Sequence, residues 1–186
     1  MNSDFPVVID ACVLVQAAVR DTLLRLSERR LFLCRWSDEI IEEVKRTLDK
    51  FGIAADKIEH LISELTTHFA DAWVGAGYKE LIPSMKNDEK DRHIVAAAVK
   101  AGSEVIVTYN LKHFKEEHLK PLDISARHPD EFLIDLYNLN PESVVHALHQ
   151  QGSELKEKLT LPQVLENLRV CNCNKFADLV TEKLAL

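Results

Sequence analysis

Glycine is scarce, with five in 186 residues, and no Gly-rich phosphate loop occurs, which rules out a dinucleotide-binding fold built on one. Long apolar runs are missing too. Nothing approaches the roughly 20 residues needed to span a bilayer, and Met1-Asn2-Ser3-Asp4 carries no basic leader. The expected location is the cytoplasm, with no membrane contact. A basic excess is absent: 23 Lys and Arg stand against 30 Asp and Glu, a net charge of −7, which argues against a broad electrostatic nucleic-acid surface. Of the four cysteines, Cys12 and Cys34 lie in apolar stretches and read as small reduced core residues. Cys171 and Cys173 have no second pair at zinc-finger spacing, which argues against a zinc site. No internal repeat or low-complexity segment stands out.

What is present is an ordinary globular composition, 46% hydrophobic and 28% charged, enough for one domain with a smaller appendage. Phe5 to Leu14 is apolar on both faces and reads as a buried parallel strand. A helix is expected from about Asp21 to Arg30 with Leu23, Leu24 and Leu26 inward, then a short apolar stretch from Leu31 to Trp36. Ser37 is a plausible N-cap for a helix that Gly52 ends. Ala54 to Phe69 has helical periodicity, whereas Asp71 to Tyr78 suggests an irregular strand. Asn87 or Asp88 caps a helix running through Lys100, Glu104 to Thr108 is a second buried strand, and Leu122 to Ala126 adds an edge strand. After Pro129 the pattern is helical over Glu131–Tyr137, Pro141–Gln151 and Leu161–Leu184. The expected class is α/β, a three-layer fold with a mainly parallel central sheet over residues 1–128, plus an α-helical C-terminal extension over 129–186.

Four polar residues stand at strand ends or on helix faces: Asp10 after Val7-Val8-Ile9, Glu43 after Ile40-Ile41-Glu42, Asp91 before Ile94-Val95, and Asn110 after Val105 to Tyr109. Sites in open α/β sheets form beyond the carboxyl ends of the strands, where Asp10 and Asn110 fall. Three carboxylates and a carboxamide suit one hard divalent cation, because Mg²⁺ prefers oxygen ligands. Each has a plainer reading. Asp10 could cap the next helix, and Asn110 could close a turn. Asp91 could belong to a capping arrangement with Asp88, which precedes the helical register and reads as the cap rather than a ligand. Glu42 and Glu43 point about 100° apart, and Glu43 is preferred because it borders the apolar stripe of Ile40, Ile41, Val44 and Leu48. His113 reads as an ordinary exposed histidine. Arg20, Arg25, Arg29, Arg30 and Arg35 form a locally basic stretch, either a nucleic-acid contact or a solvated helix face.

Together these segments resemble the PIN-domain family of ribonucleases, and especially toxins of the VapC type. The carriers are Val-Val-Ile-Asp10-Ala-Cys-Val-Leu-Val, Trp36-Ser37-Asp-Glu-Ile-Ile-Glu-Glu43-Val, Asp91-Arg92-His93-Ile-Val-Ala-Ala-Ala, and Val107-Thr108-Tyr-Asn110-Leu-Lys-His113-Phe114. No one of them is specific; the four in order are. The resemblance covers about residues 5 to 128, and the segment from Pro129 onward is similar to the helical tail of a subset of these proteins. It implies that Asp10, Glu43, Asp91 and Asn110 bind Mg²⁺ or Mn²⁺ and serve catalysis. It also implies an RNA substrate, an antitoxin protein as partner, and a homodimer. The chain departs from the family at His113, where many members carry Asp, which leaves open whether it holds one metal or two.

Two other readings compete. A catalytically idle PIN-like module that binds RNA or protein is the alternative, opposed by the intact carboxylates. A phosphatase of the haloacid-dehalogenase type also opens on a strand ending in Asp, but it needs a second Asp where this chain has Cys12.

Overall fold

A computed structural model describes residues 4–185. Its centre is a four-stranded sheet in the order β2-β1-β3-β4, parallel throughout, formed by β1 (Pro6–Ile9), β2 (Leu33–Arg35), β3 (Val105–Val107) and β4 (Ser125–Arg127). Val7, Val8 and Ile9 are fully buried, as a central strand covered on both faces requires. The expected strand from Phe5 to Leu14 is shorter than its apolar run. Asp10 ends it, and its carboxylate accepts the backbone N–H of Cys12 to open a single helical turn, α1 (Ala11–Leu14).

Helix α2 (Ala17–Glu28) starts earlier than expected; it buries Leu23 and Leu26, while Leu24 is half-buried. Ser37 caps α3 (Asp38–Lys50) by accepting the N–H of Ile40, and Gly52 follows in the left-handed region at φ +75°. Helix α4 (Ala55–His68) comes next. Residues 71–78, expected as an irregular strand, form 3₁₀ turns around one bridge between Trp73 and Trp36.

Helix α5 (Arg92–Ala101) is shorter than expected, because Asp88 caps a 3₁₀ turn over Glu89–Asp91 rather than the helix itself. Gly102, at φ +63°, reverses the chain from α5 into β3. That reversal places the N-terminus of α5, with Asp91, at the carboxyl edge of the sheet. A short helix, α6 (Glu116–Leu119), leads to β4, which lies slightly beyond the expected Leu122–Ala126.

The C-terminal segment comprises α7 (Pro129–Leu139), α8 (Pro141–Glu154), α9 (Leu161–Val170) and α10 (Asn174–Leu184). The expected helix over 161–184 is therefore two helices, broken at Cys171-Asn172-Cys173, where Asn172 takes φ +61°. These helices dock on the rest of the chain. Thr22 of α2 donates to the Gln151 carboxamide at 2.7 Å, and Gln151 donates to the Ala18 carbonyl at 3.0 Å. Within the segment, Asp130 accepts the backbone N–H groups of Lys175 and Phe176, replacing the missing side-chain cap of α10. Among the described residues, no helix is long and apolar enough to cross a membrane.

Candidate active site

The register pairs Ile9 with Val107, so Asp10 and Thr108 leave their strands side by side. The Asp10 N–H is bonded to the Val107 carbonyl at 3.0 Å, which fixes the backbone there. Thr108 donates its hydroxyl to Asp10 Oδ2 at 2.6 Å, the short separation of a charge-assisted bond. The same Thr108 oxygen accepts the Asn110 N–H at 3.0 Å. Asp10 is only 3% exposed. Burial pushes its pKa up; hydrogen bonds from Thr108 and Cys12 oppose that shift, and the charge of Asp91 adds to it.

Asp91 stands at the N-cap of α5, yet its side chain makes no capping bond. It turns instead to His113, whose Nδ1 lies 2.6 Å from Asp91 Oδ2. His113 is thus half-buried and engaged, contrary to the exposed histidine expected from sequence. A backbone bond from the Asp88 N–H to the His113 carbonyl, 3.3 Å, ties the two loops together. Asp88, read from sequence as only a cap, also has a carboxylate oxygen near those two side chains. One ligand atom from each of Asp88, Asp91 and His113 lies within 4.8 Å of the others.

Glu43 and Glu42 separate as their helical positions predict. Glu42 is exposed and pairs with Lys45 at 2.6 Å, whereas the Glu43 carboxylate is 30% exposed and stands 3.6 Å from Nε2 of buried His93. Burial would lower the His93 pKa, but the carboxylate of Glu43, with Glu39 behind it, raises it on balance. Sequence reasoning assigned His93 no role. Its position two residues after Asp91, on the buried face of α5, was the available signal.

Cys12 departs from the plain core residue expected. It is partly buried, its thiol donates to Asp10 Oδ2 at 3.2 Å, and burial beside that carboxylate pushes its pKa up to about 12. The structure therefore joins Asp10, Thr108 and the Asn110 backbone directly, while Asp91 pairs with His113 at the N-terminus of α5. Glu43 pairs with His93 of α5 and makes no direct contact with the other three candidates.

The donor chemistry fits a hard divalent cation: three carboxylates and a carboxamide, at the sheet edge where such sites form. Beside this set, His93 Nε2 is buried with the Glu43 carboxylate 3.6 Å away, just beyond hydrogen-bond length. Three arginines of the basic stretch are engaged within the fold. Arg25 pairs with Asp21 and Glu154, Arg29 donates to Gln150 and contacts His146, and Arg20 donates to the Leu14 carbonyl. Arg25 and Arg29 thus hold α8. A separate groove of about 930 Å³, with Leu24, Leu61, Leu65 and Phe69 in its lining, opens between α2, α4 and the C-terminal helices, and none of the four candidate residues lines it.

Comparison with known proteins agrees with this fold. Residues 6–112 match the family described as PIN domain (PIN_3). The chain is a member of the PIN-domain family. Residues 129–182 match the family described as VapC50 C-terminal domain, which makes it a VapC-type PIN protein with a C-terminal extension. It is 53% identical over 79 residues to "Putative ribonuclease VapC50" of Mycobacterium tuberculosis (strain ATCC 25618 / H37Rv), a match covering 42% of this chain and 44% of that protein. The chain thus aligns with less than half the length of this relative. No solved structure matches.

Proposed function

We propose that this PIN protein is a metal-dependent endoribonuclease, the toxin of a toxin–antitoxin pair. The observation that carries the reading is the junction of Asp10, Thr108 and Asn110 at the carboxyl edge, the edge at which α5 begins with Asp91. Asp10, Asp91, Glu43 and Asn110 would hold Mg²⁺ or Mn²⁺. When bound, such a cation polarises a scissile phosphate and makes a bound water acidic enough to attack it.

The chain's own residues do the rest. Thr108 fixes which way the Asp10 carboxylate faces, and Asn110 follows because its backbone is held by the same hydroxyl. Burial is the main reason the Asp10 pKa is raised, with the Asp91 charge a minor addition, and a cation held there would favour the ionised carboxylate. Family membership and the relative's name support RNA as substrate. They also support an antitoxin partner, a homodimer and a cytoplasmic location, each proposed here on the same grounds. We further propose a nuclease domain over residues 1–128 and an extension over 129–186, in keeping with the two family matches.

The test is incubation of total cellular RNA with purified protein in Mn²⁺, in EDTA, and with Asp91→Asn. Discrete products that require metal and vanish in the folded variant are expected. Cleavage retained by Asp91→Asn would overturn the site assignment. No cleavage by inhibitor-free protein would favour the idle binding module.

A further inference from the structure

His113 brings a nitrogen to a site otherwise made of oxygen. Its ring lies 2.6 Å from Asp91 through Nδ1, and Asp88 completes a group of three whose ligand atoms lie within 4.8 Å of one another. The placement is built into the backbone. Asp88 donates its N–H to the His113 carbonyl, and the 3₁₀ turn over Leu111–His113 is closed by the His113 N–H on the Asn110 carbonyl at 2.9 Å. Buried Phe114 follows immediately and anchors the turn. The imidazole is therefore held at the site by its neighbours on both sides.

Ligand type decides which ion such a site prefers. Mg²⁺ demands near-octahedral oxygen coordination and gives up water reluctantly, whereas imidazole suits first-row transition ions. Imidazole suits Fe²⁺, Ni²⁺ and Zn²⁺ best, and Mn²⁺ shares the Mg²⁺ preference for carboxylate and water. Mn²⁺ nevertheless opens the same first-row series and accepts a nitrogen ligand more readily than Mg²⁺. We infer that His113, acting with Asp88 and Asp91, sets the cation preference of this site and biases it toward Mn²⁺ over Mg²⁺. The inference rests on the proposed metal-dependent reading, sharing Asp91 with it, but concerns which ion is held rather than what reaction follows. It also gives Asp88 a role besides its cap to the Lys90 N–H.

The test is direct binding to the full chain, without RNA. Mn²⁺ affinity is read from the electron paramagnetic resonance signal of the free ion, and Mg²⁺ affinity by competition against it. Wild type, His113→Asp and Asp88→Asn are compared, each first shown to be folded by circular dichroism. Loss of a coordinating or orienting group at a metal site typically changes affinity by about 10- to 100-fold. The expected result is a Mn²⁺-over-Mg²⁺ preference that falls about tenfold in His113→Asp, with Mn²⁺ affinity about tenfold weaker in Asp88→Asn. His113→Gln keeps a polar side chain without the imidazole and is expected to lose preference as His113→Asp does. An unchanged preference in both His113 variants overturns the inference, as does wild-type protein that binds no Mn²⁺. The nuclease reading fails separately, through cleavage that survives Asp91→Asn.

Discussion

Thr108 and Asp10 are joined by a 2.6 Å hydrogen bond between the ends of two adjacent parallel strands. Thr108 is fully buried and also carries the Asn110 N–H, so one hydroxyl organises a carboxylate and a loop. Thr108→Val keeps the shape and removes both bonds. A hydrogen bond to a charged group contributes about 1.5–3 kcal/mol, and outer partners of metal ligands affect metal affinity by about 10- to 100-fold. The variant is expected to unfold at lower urea and to bind Mn²⁺ at least about tenfold more weakly. Calorimetry and urea titration check this. Unchanged affinity would show that Thr108 does not orient Asp10.

Strands β1 and β3 were readable because they are short apolar runs, and the family motifs sit where those runs stop. Asp10 and Asn110 were legible for that reason. The boundary at Ile9 was not, since Ala11, Val13 and Leu14 are as apolar as a strand but pack as a helical turn. Composition cannot separate the two over so few residues. Asp91 stands at the N-cap of α5 rather than on the helix face that the apolar spacing suggests, because a 3₁₀ turn that sequence does not announce precedes the helix. His113 was misjudged because its partner lies 22 residues away. The basic stretch was ambiguous for the same reason, as the partners of Arg25 and Arg29 are on α8, more than 100 positions downstream.

Asp130 provides a cap across the C-terminal segment. It is buried and accepts two N–H groups at the start of α10, from Phe176 at 2.8 Å and Lys175 at 3.2 Å. Asp130→Ala leaves both donors unpaired. Loss of a helix cap costs about 0.5–2 kcal/mol, and burial puts this site toward the upper end. Asp130→Asn keeps an acceptor oxygen and is expected to lose less. Urea midpoints of the two variants decide it; equal midpoints would mean the carboxylate is not the cap.

Glu43 and His93 give the metal-free protein a definite dependence on pH. The folded-state pKa of His93 is raised, the Glu43 carboxylate outweighing burial. Its contribution to stability is therefore complete below about pH 6.5, the ordinary histidine value, and is lost as pH rises through the raised value. Glu43→Gln removes the main cause of that rise and leaves burial, which acts the other way. In EDTA, raising pH from about 6 to about 8 is expected to lower the wild-type urea midpoint relative to that of Glu43→Gln. Parallel midpoints across that range would dissociate the two residues.

Gly152 sets local helix propensity against packing. It lies within α8, where replacing glycine by alanine ordinarily gains about 1 kcal/mol. Here a Cβ would collide with the Leu159 carbonyl oxygen and sit 3.1 Å from Val164 Cγ2. The Leu159 backbone has little room to yield, because its N–H is bonded to the Gly152 carbonyl at 3.0 Å and the next residue enters the Thr160–Gln163 capping box. Overpacking of this kind costs about 1–3 kcal/mol, enough to reverse the propensity gain. Gly152→Ala is expected to lower the urea midpoint. Exposed Ser153→Ala, one residue on, is expected to change stability by no more than about 0.5 kcal/mol. A Gly152→Ala protein as stable as wild type would mean that the α8–α9 connection shifts freely. The close approach of Leu159 would then not be what requires glycine there.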